Sequence, residues 1–166
     1  RTGAGKSPLS QFLAAELKKH GIRVGVLRHP MPYGNLEQQA VERFATFDDL
    51  ERLQCTLEER EEYEPYIEAG HVVFAGVDYA EIVSQAEKES DLLIWDGGNN
   101  DFSFLKPTVH LCVVDALRPG HETTYHPGEI NLRTADIVII NKVRHADSAK
   151  VAAVKQQIAT LRPEAT

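Results

Sequence analysis

Five consecutive residues, GAGKS from Gly3 to Ser7, have the types and spacing to hold a phosphate chain. Glycines let successive backbone N–H groups face phosphate oxygens, and a helix starting there adds positive potential at its N-terminus. Lys6 is then placed for the β- and γ-phosphates of a nucleoside triphosphate, and Ser7 for a Mg²⁺ ion. The pattern GxxxxGK[ST] is completed by a glycine that would stand one residue before Arg1. Pro8 fits the first helical turn, where its missing N–H costs nothing. Gly3, Ala4, Gly5, Lys6, Ser7 and Pro8 are therefore the candidate nucleotide-binding residues. Arg1, five positions before the lysine, is either a second basic residue that reaches a partner's nucleotide in a homodimer or a surface arginine.

A loop of this kind needs a carboxylate on the metal side, and LLIWDGGNND supplies one. Asp96 ends an apolar run and is the candidate Mg²⁺ partner beside Ser7, while Gly97 and Gly98 can bring backbone N–H groups near a γ-phosphate. Lys6 and Asp96 are thus the expected catalytic pair. A third run, IVIINKVRHAD, places Asn141 and Lys142 where guanine-reading proteins carry NKxD. The aspartate position is Arg144, and a guanidinium cannot accept hydrogen bonds from guanine. Asp147 comes three residues late. Asn141 can still contact a purine, so ATP is the expected nucleotide, with a GTPase of the metallochaperone or regulatory type as the alternative.

Two further loops concentrate cations. LRHPMPYGN carries Arg28 and His29, and DALRPGHETTYHPGEINLR carries Arg118, His121, His126 and Arg133. Each alone reads as a surface or turn residue. Their density in a chain with 18 Lys and Arg against 25 Asp and Glu, net charge −7, marks a local site for an anionic small molecule. Arg28, His29, Arg118, His121 and Arg133 are the candidate substrate-binding residues. His121 and His126 have no cysteine or third histidine at zinc-ligand spacing. The net negative charge argues against a nucleic-acid partner. Cys55 and Cys112 are too few for a disulfide framework, no apolar run approaches the ~20 residues of a membrane span, and no signal peptide opens the chain, so a cytoplasmic protein is expected.

The elements that must position these residues follow from periodicity. Helices are expected over 10–20, with Phe12, Leu13 and Leu17 on one face and Gly21 as stop, and over 79–89 and 149–161. Strands are expected over 22–27, 72–75, 92–95, 111–114 and 137–140. Runs that are apolar on both faces belong to a parallel sheet covered by helices. Arg28, Asp96, Asp115 and Asn141 then follow strand ends, where open α/β sheets bind ligands. The acidic stretch 31–70, with helical spacing in LEQQAVERF and LEEREEYE, reads as a helical insertion without a clear strand. The 166 residues suffice for one α/β domain, and with no methionine and no strand before the loop they read as the interior of a longer protein. The fold class is α/β, a three-layer sandwich of the P-loop NTPase type with a mostly parallel sheet, its N-terminal strand missing.

With RTGAGKS, RHPMPYG, EEREEYEPYIEAG, WDGGNND, RPGHE and YHPGEINLR, the chain from Arg1 to about Val143 resembles the P-loop core of cyclic 2,3-diphosphoglycerate synthetase and its bacterial relatives. That family is similar to dethiobiotin synthetase and to metallocentre-assembly GTPases, and its members carry an additional N-terminal domain. The resemblance implies a ligase: 2,3-diphosphoglycerate closes to an intramolecular phosphoanhydride while ATP becomes ADP and phosphate. It also implies a small phosphorylated substrate at the cation-rich loops.

Overall fold

The computed structural model describes residues 2–29, 35–98 and 101–166. Arg1, part of RHPMPYG and the asparagines of WDGGNND lie outside them. The chain forms two compact units, one from residues 7–96 and one from residues 1–6 with 97–166.

The first unit holds a four-stranded sheet in the order β2-β3-β1-β4. Strands β1 (Val24–Arg28), β3 (Val72–Ala75) and β4 (Leu92–Trp95) run parallel, and β2 (Glu42–Phe44) pairs antiparallel with β3. Side chains alternate across a strand. Val24, Val26, Val73 and Ala75 meet Phe44, Ala14 of α1 (Lys6–Lys19), Leu50 of α2 (Phe47–Arg52), and Tyr63, Tyr66 and Ile67 of α3 (Leu57–Glu68). On the other side α4 (Tyr79–Glu89) packs on β1 and β3, burying Ile82 and Ala86. Helices on both faces explain why β1 and β3 read as unbroken apolar runs.

Capping residues set the helix starts. Thr46 with Asp49 and Thr56 with Glu59 form reciprocal capping boxes on α2 and α3, and Asp78 caps α4. Two expectations need correction. The stretch 31–70 contains a strand, because Glu42 and Phe44 turn inward while Arg43 points out, and three residues suffice to pair with β3. Phe12 is exposed; α1 buries Ala14 instead.

The second unit has a two-stranded parallel sheet, β5 (Leu111–Asp115) with β6 (Ile137–Asn141), and helices α5 (His121–Thr124), α6 (Gly128–Thr134) and α7 (Ser148–Leu161). Val114, Leu132 and Val154 centre its core. Thr166 continues the ladder, accepting from Val138 N–H at 2.9 Å and donating to the Asp136 carbonyl at 3.1 Å. The architecture is α/β with mostly parallel strands. No helix among the described residues is long and apolar enough to cross a membrane.

Candidate functional site

The glycine loop is built and held within the second unit. Gly3 and Gly5 take φ of +75° and +108°, where side chains are strained. A Cβ on Gly5 would lie 2.1 Å from the Asn141 side-chain nitrogen, so only glycine fits there. That nitrogen donates to the Ala4 carbonyl at 2.9 Å, and the Asn141 oxygen accepts the Lys142 N–H at 2.7 Å. Lys142, itself at φ +62°, donates its ammonium to the Gly3 carbonyl and to Asp115 Oδ2 at 2.8 Å. The two residues that close β6 thus grip two carbonyls of the loop. Turning those carbonyls to the protein leaves the intervening N–H groups to face the other way, as anion binding requires. Burial works against the charge of Asp115, yet the bond from Lys142 and the Leu117 N–H hold its carboxyl below the usual range.

The neighbouring positions are otherwise used. Asp147 caps α7, accepting the Lys150 N–H at 2.8 Å, and Arg144 is exposed in a 3₁₀ turn, Val143–His145. Ala4 is buried, while Lys6 opens α1 in the chain and Pro8 lies exposed in its first turn.

Around Asp96 the first unit builds a dense polar cluster. Asp96 is 3% exposed at the carboxyl end of β4. Its Oδ2 accepts from Tyr66 Oη at 2.8 Å and faces Arg28 Nη1 at 2.8 Å, and its Oδ1 accepts from Ser10 Oγ at 3.2 Å. Arg28, at the end of β1, also donates to the Asp96 carbonyl at 2.8 Å and pairs through Nη2 with Glu62. A buried ion pair is tolerated when its other polar atoms are hydrogen-bonded, and here Tyr66, Ser10, Glu62 and the Asp96 carbonyl supply such bonds. Burial, then the Asp96 charge, push the Tyr66 hydroxyl far above its ordinary value, so it stays a donor. The donor set, a serine hydroxyl in α1 and a buried carboxylate, has the hard oxygens that suit Mg²⁺. Arg28 is therefore committed to two carboxylates, while His29 lies with its ring 6.0 Å from that of Trp95.

The remaining candidates separate into distinct surroundings. Arg118 follows β5, half-exposed, with Nε 3.6 Å from Asp115 Oδ2. His121 packs edge-on against Tyr125 at 5.1 Å, and His126 against Phe102 at 5.5 Å. Arg133 pairs with Glu129 one turn earlier on α6. Gly98 N–H is occupied by Asp101 at 2.5 Å. No group of three or more metal-ligating side chains forms among the described residues. Burial pushes the Cys112 thiol up to about 11, fitting an inert residue. Sequence reasoning missed Ser10, Glu62 and Tyr66. The signal it had was Glu62 and Tyr66 one helical turn apart inside EEREEYEPY.

No family model matches the chain. Over all 166 residues it is 55% identical to a protein named arginine synthetase ArcE from Thermococcus kodakarensis, and it spans 37% of that protein's length.

Proposed function

We propose that this chain is the nucleotide-binding part of an ATP- and Mg²⁺-dependent synthetase, which activates an oxygen of a small substrate by phosphoryl transfer. The observation that carries the reading is the Gly3–Lys6 loop, with two glycines at positive φ and gripped through the Ala4 and Gly3 carbonyls by Asn141 and Lys142. In this reading Gly3 to Ser7 bind the triphosphate, and Lys6 neutralises charge as the γ-phosphoryl group moves. Ser7 and Asp96 would hold Mg²⁺, which would offset the charge of the phosphate oxygens. Arg118 and His121 serve the acceptor. The synthetase name of the 55% identical relative supports the class of reaction.

The motif resemblance makes 2,3-diphosphoglycerate one acceptor, closing to its cyclic phosphoanhydride. A second reading, arginine formation, is favoured by the identity to a relative of that name along the whole chain. A guanidinium is a urea with nitrogen in place of oxygen. ATP would phosphorylate the urea oxygen of the corresponding amino acid, and ammonia would then displace phosphate, leaving arginine, ADP and phosphate.

The test incubates the full-length protein with Mg·ATP in two arms. One adds 2,3-diphosphoglycerate and follows the cyclic product by phosphorus NMR. The other adds ammonia with the ureido amino acid and measures arginine by amino-acid analysis. Product in either arm, with one ADP formed per product, supports a synthetase and selects the acceptor. No product in either arm, with GTP bound and hydrolysed in preference to ATP, favours the GTPase-type alternative.

A further inference from the structure

We infer that Tyr66, from the acidic segment between β2 and β3, is a positioning residue that fixes which oxygen of Asp96 is offered to the metal. The inference rests on the reading of Asp96 as the Mg²⁺ partner. A carboxylate has two oxygens and can rotate between them, so a metal site on a lone aspartate is poorly defined. Here the two oxygens are treated differently. Oδ2 is occupied twice, by the Tyr66 hydroxyl and by the Arg28 guanidinium, both at 2.8 Å. Oδ1 has one longer bond, 3.2 Å, from Ser10 on α1, the helix that Lys6 and Ser7 open. Tyr66 is 1% exposed, so its hydroxyl cannot turn away to water. Glu62, one turn earlier on α3, holds the other end of Arg28. Two residues of one helix therefore lock Oδ2 from two sides. Oδ1 is left as the exchangeable oxygen, able to trade the Ser10 hydroxyl for the metal or its water.

Groups that orient metal ligands are worth about 10–100-fold in metal affinity, although they never touch the metal. Tyr66→Phe removes one hydroxyl and keeps the ring that fills the core, and Arg28 still pairs with Oδ2, so the fold is preserved. The readout is the binding of AMP-PNP to the full-length protein by calorimetry, with excess Mg²⁺ and with EDTA. The ratio of the two affinities measures metal coupling without turnover.

Asp96→Asn should abolish most of the coupling. Tyr66→Phe should reduce it about tenfold with the EDTA affinity unchanged. Ser10→Ala should keep it, since Oδ1 loses a competitor and Oδ2 keeps both of its partners. Coupling within twofold of the parent in Tyr66→Phe, with Asp96→Asn defective, overturns the positioning role and leaves the metal assignment standing. Ser10→Ala as damaging as Tyr66→Phe overturns the assignment of Oδ1. Full coupling in Asp96→Asn refutes the metal reading itself, and the inference falls with it.

Discussion

Asn141 donates its side-chain amide to the carbonyl of Ala4, 137 positions away in the chain, at 2.9 Å. Both ends of that amide are occupied, the oxygen by the Lys142 N–H. The residue that the NKxD-like spacing sends toward a purine braces the glycine loop.

Asn141→Ala should therefore weaken ATP, GTP and inorganic triphosphate by similar factors. One neutral hydrogen bond contributes about 0.5–1.5 kcal/mol, so the loss is roughly 2- to 13-fold for each. Calorimetric titrations of the three ligands check this. A loss confined to the nucleotides, with triphosphate unaffected, would return Asn141 to the base.

Lys6→Ala should abolish turnover with the thermal midpoint of the parent retained. Lys6 lies in the first turn of α1, outside the hydrophobic clusters, so its removal opens no cavity. Steady-state rates at limiting and saturating ATP, beside a melting curve, are the measurement. Near-parental activity at both concentrations refutes a phosphate-binding role for the loop.

Much of this was legible in the residues, for a physical reason. VVFA is apolar at every position because helices cover both faces of its sheet, and IVII is half-buried throughout; they emerged as β3 and β6 with ends shifted by at most one residue. Helix α4 matched its expected span because Asp78 caps it and its apolar stripe faces the sheet. Strand β2 was hidden: three residues are too short for periodicity to speak, and the acidic surroundings favour a helix. Thr46 and Thr56, each followed three residues later by an acid, carried the signature of the two helix starts that the stretch contains. The Asp96 cluster could not be read, since Tyr66 finds its partner only when α3 packs on the sheet.

Glu42 makes stability depend on pH. Burial, and then the Glu59 charge, push its carboxyl up to about 7 from an ordinary 4.5. A raised folded value means that the folded state holds the proton more tightly. Its stabilising contribution is full below about pH 4.5 and is lost as pH rises through 7, a difference of about 3 kcal/mol at most. Glu42→Gln is neutral at every pH. It should lie within about 1 kcal/mol of the parent at pH 5, with the gap widening to about 3 kcal/mol in its favour at pH 8. Urea midpoints at pH 5, 6, 7 and 8 decide it, and parallel curves for the two proteins would show that Glu42 is not the titrating group.

The exposed position of Arg144 and the use of Asp147 as a helix cap leave the guanine-reading carboxylate of NKxD without a counterpart in the turn after β6. ATP should therefore bind at least as well as GTP. Competition binding in which GTP is preferred by ~100-fold, about 2.7 kcal/mol, would contradict this and revive the GTPase alternative.

Arg118 and Arg133 should behave differently although both lie in the same cation-rich segment. Arg133 spends its guanidinium on Glu129 along an exposed face of α6, a pair that contributes about 0.3–0.5 kcal/mol. Arg118 follows the carboxyl end of β5, with Nε 3.6 Å from Asp115, too far for a strong bond. Asp115 is already held by Lys142 at 2.8 Å, so Arg118 has most of its donors available for an anionic acceptor. A charge-assisted contact of that kind is worth roughly 1.5–3 kcal/mol, or about tenfold or more in rate or affinity. Arg118→Ala should raise KM for the acceptor, or lower kcat, with ATP affinity nearly unchanged, and Arg133→Ala should do neither. Kinetics with the acceptor varied, beside calorimetry with ATP, separate the cases. Collapse of ATP affinity in Arg118→Ala with an unchanged acceptor dependence would mean that this loop serves the nucleotide, and the division of roles between the glycine loop and the segment after β5 would have to be redrawn.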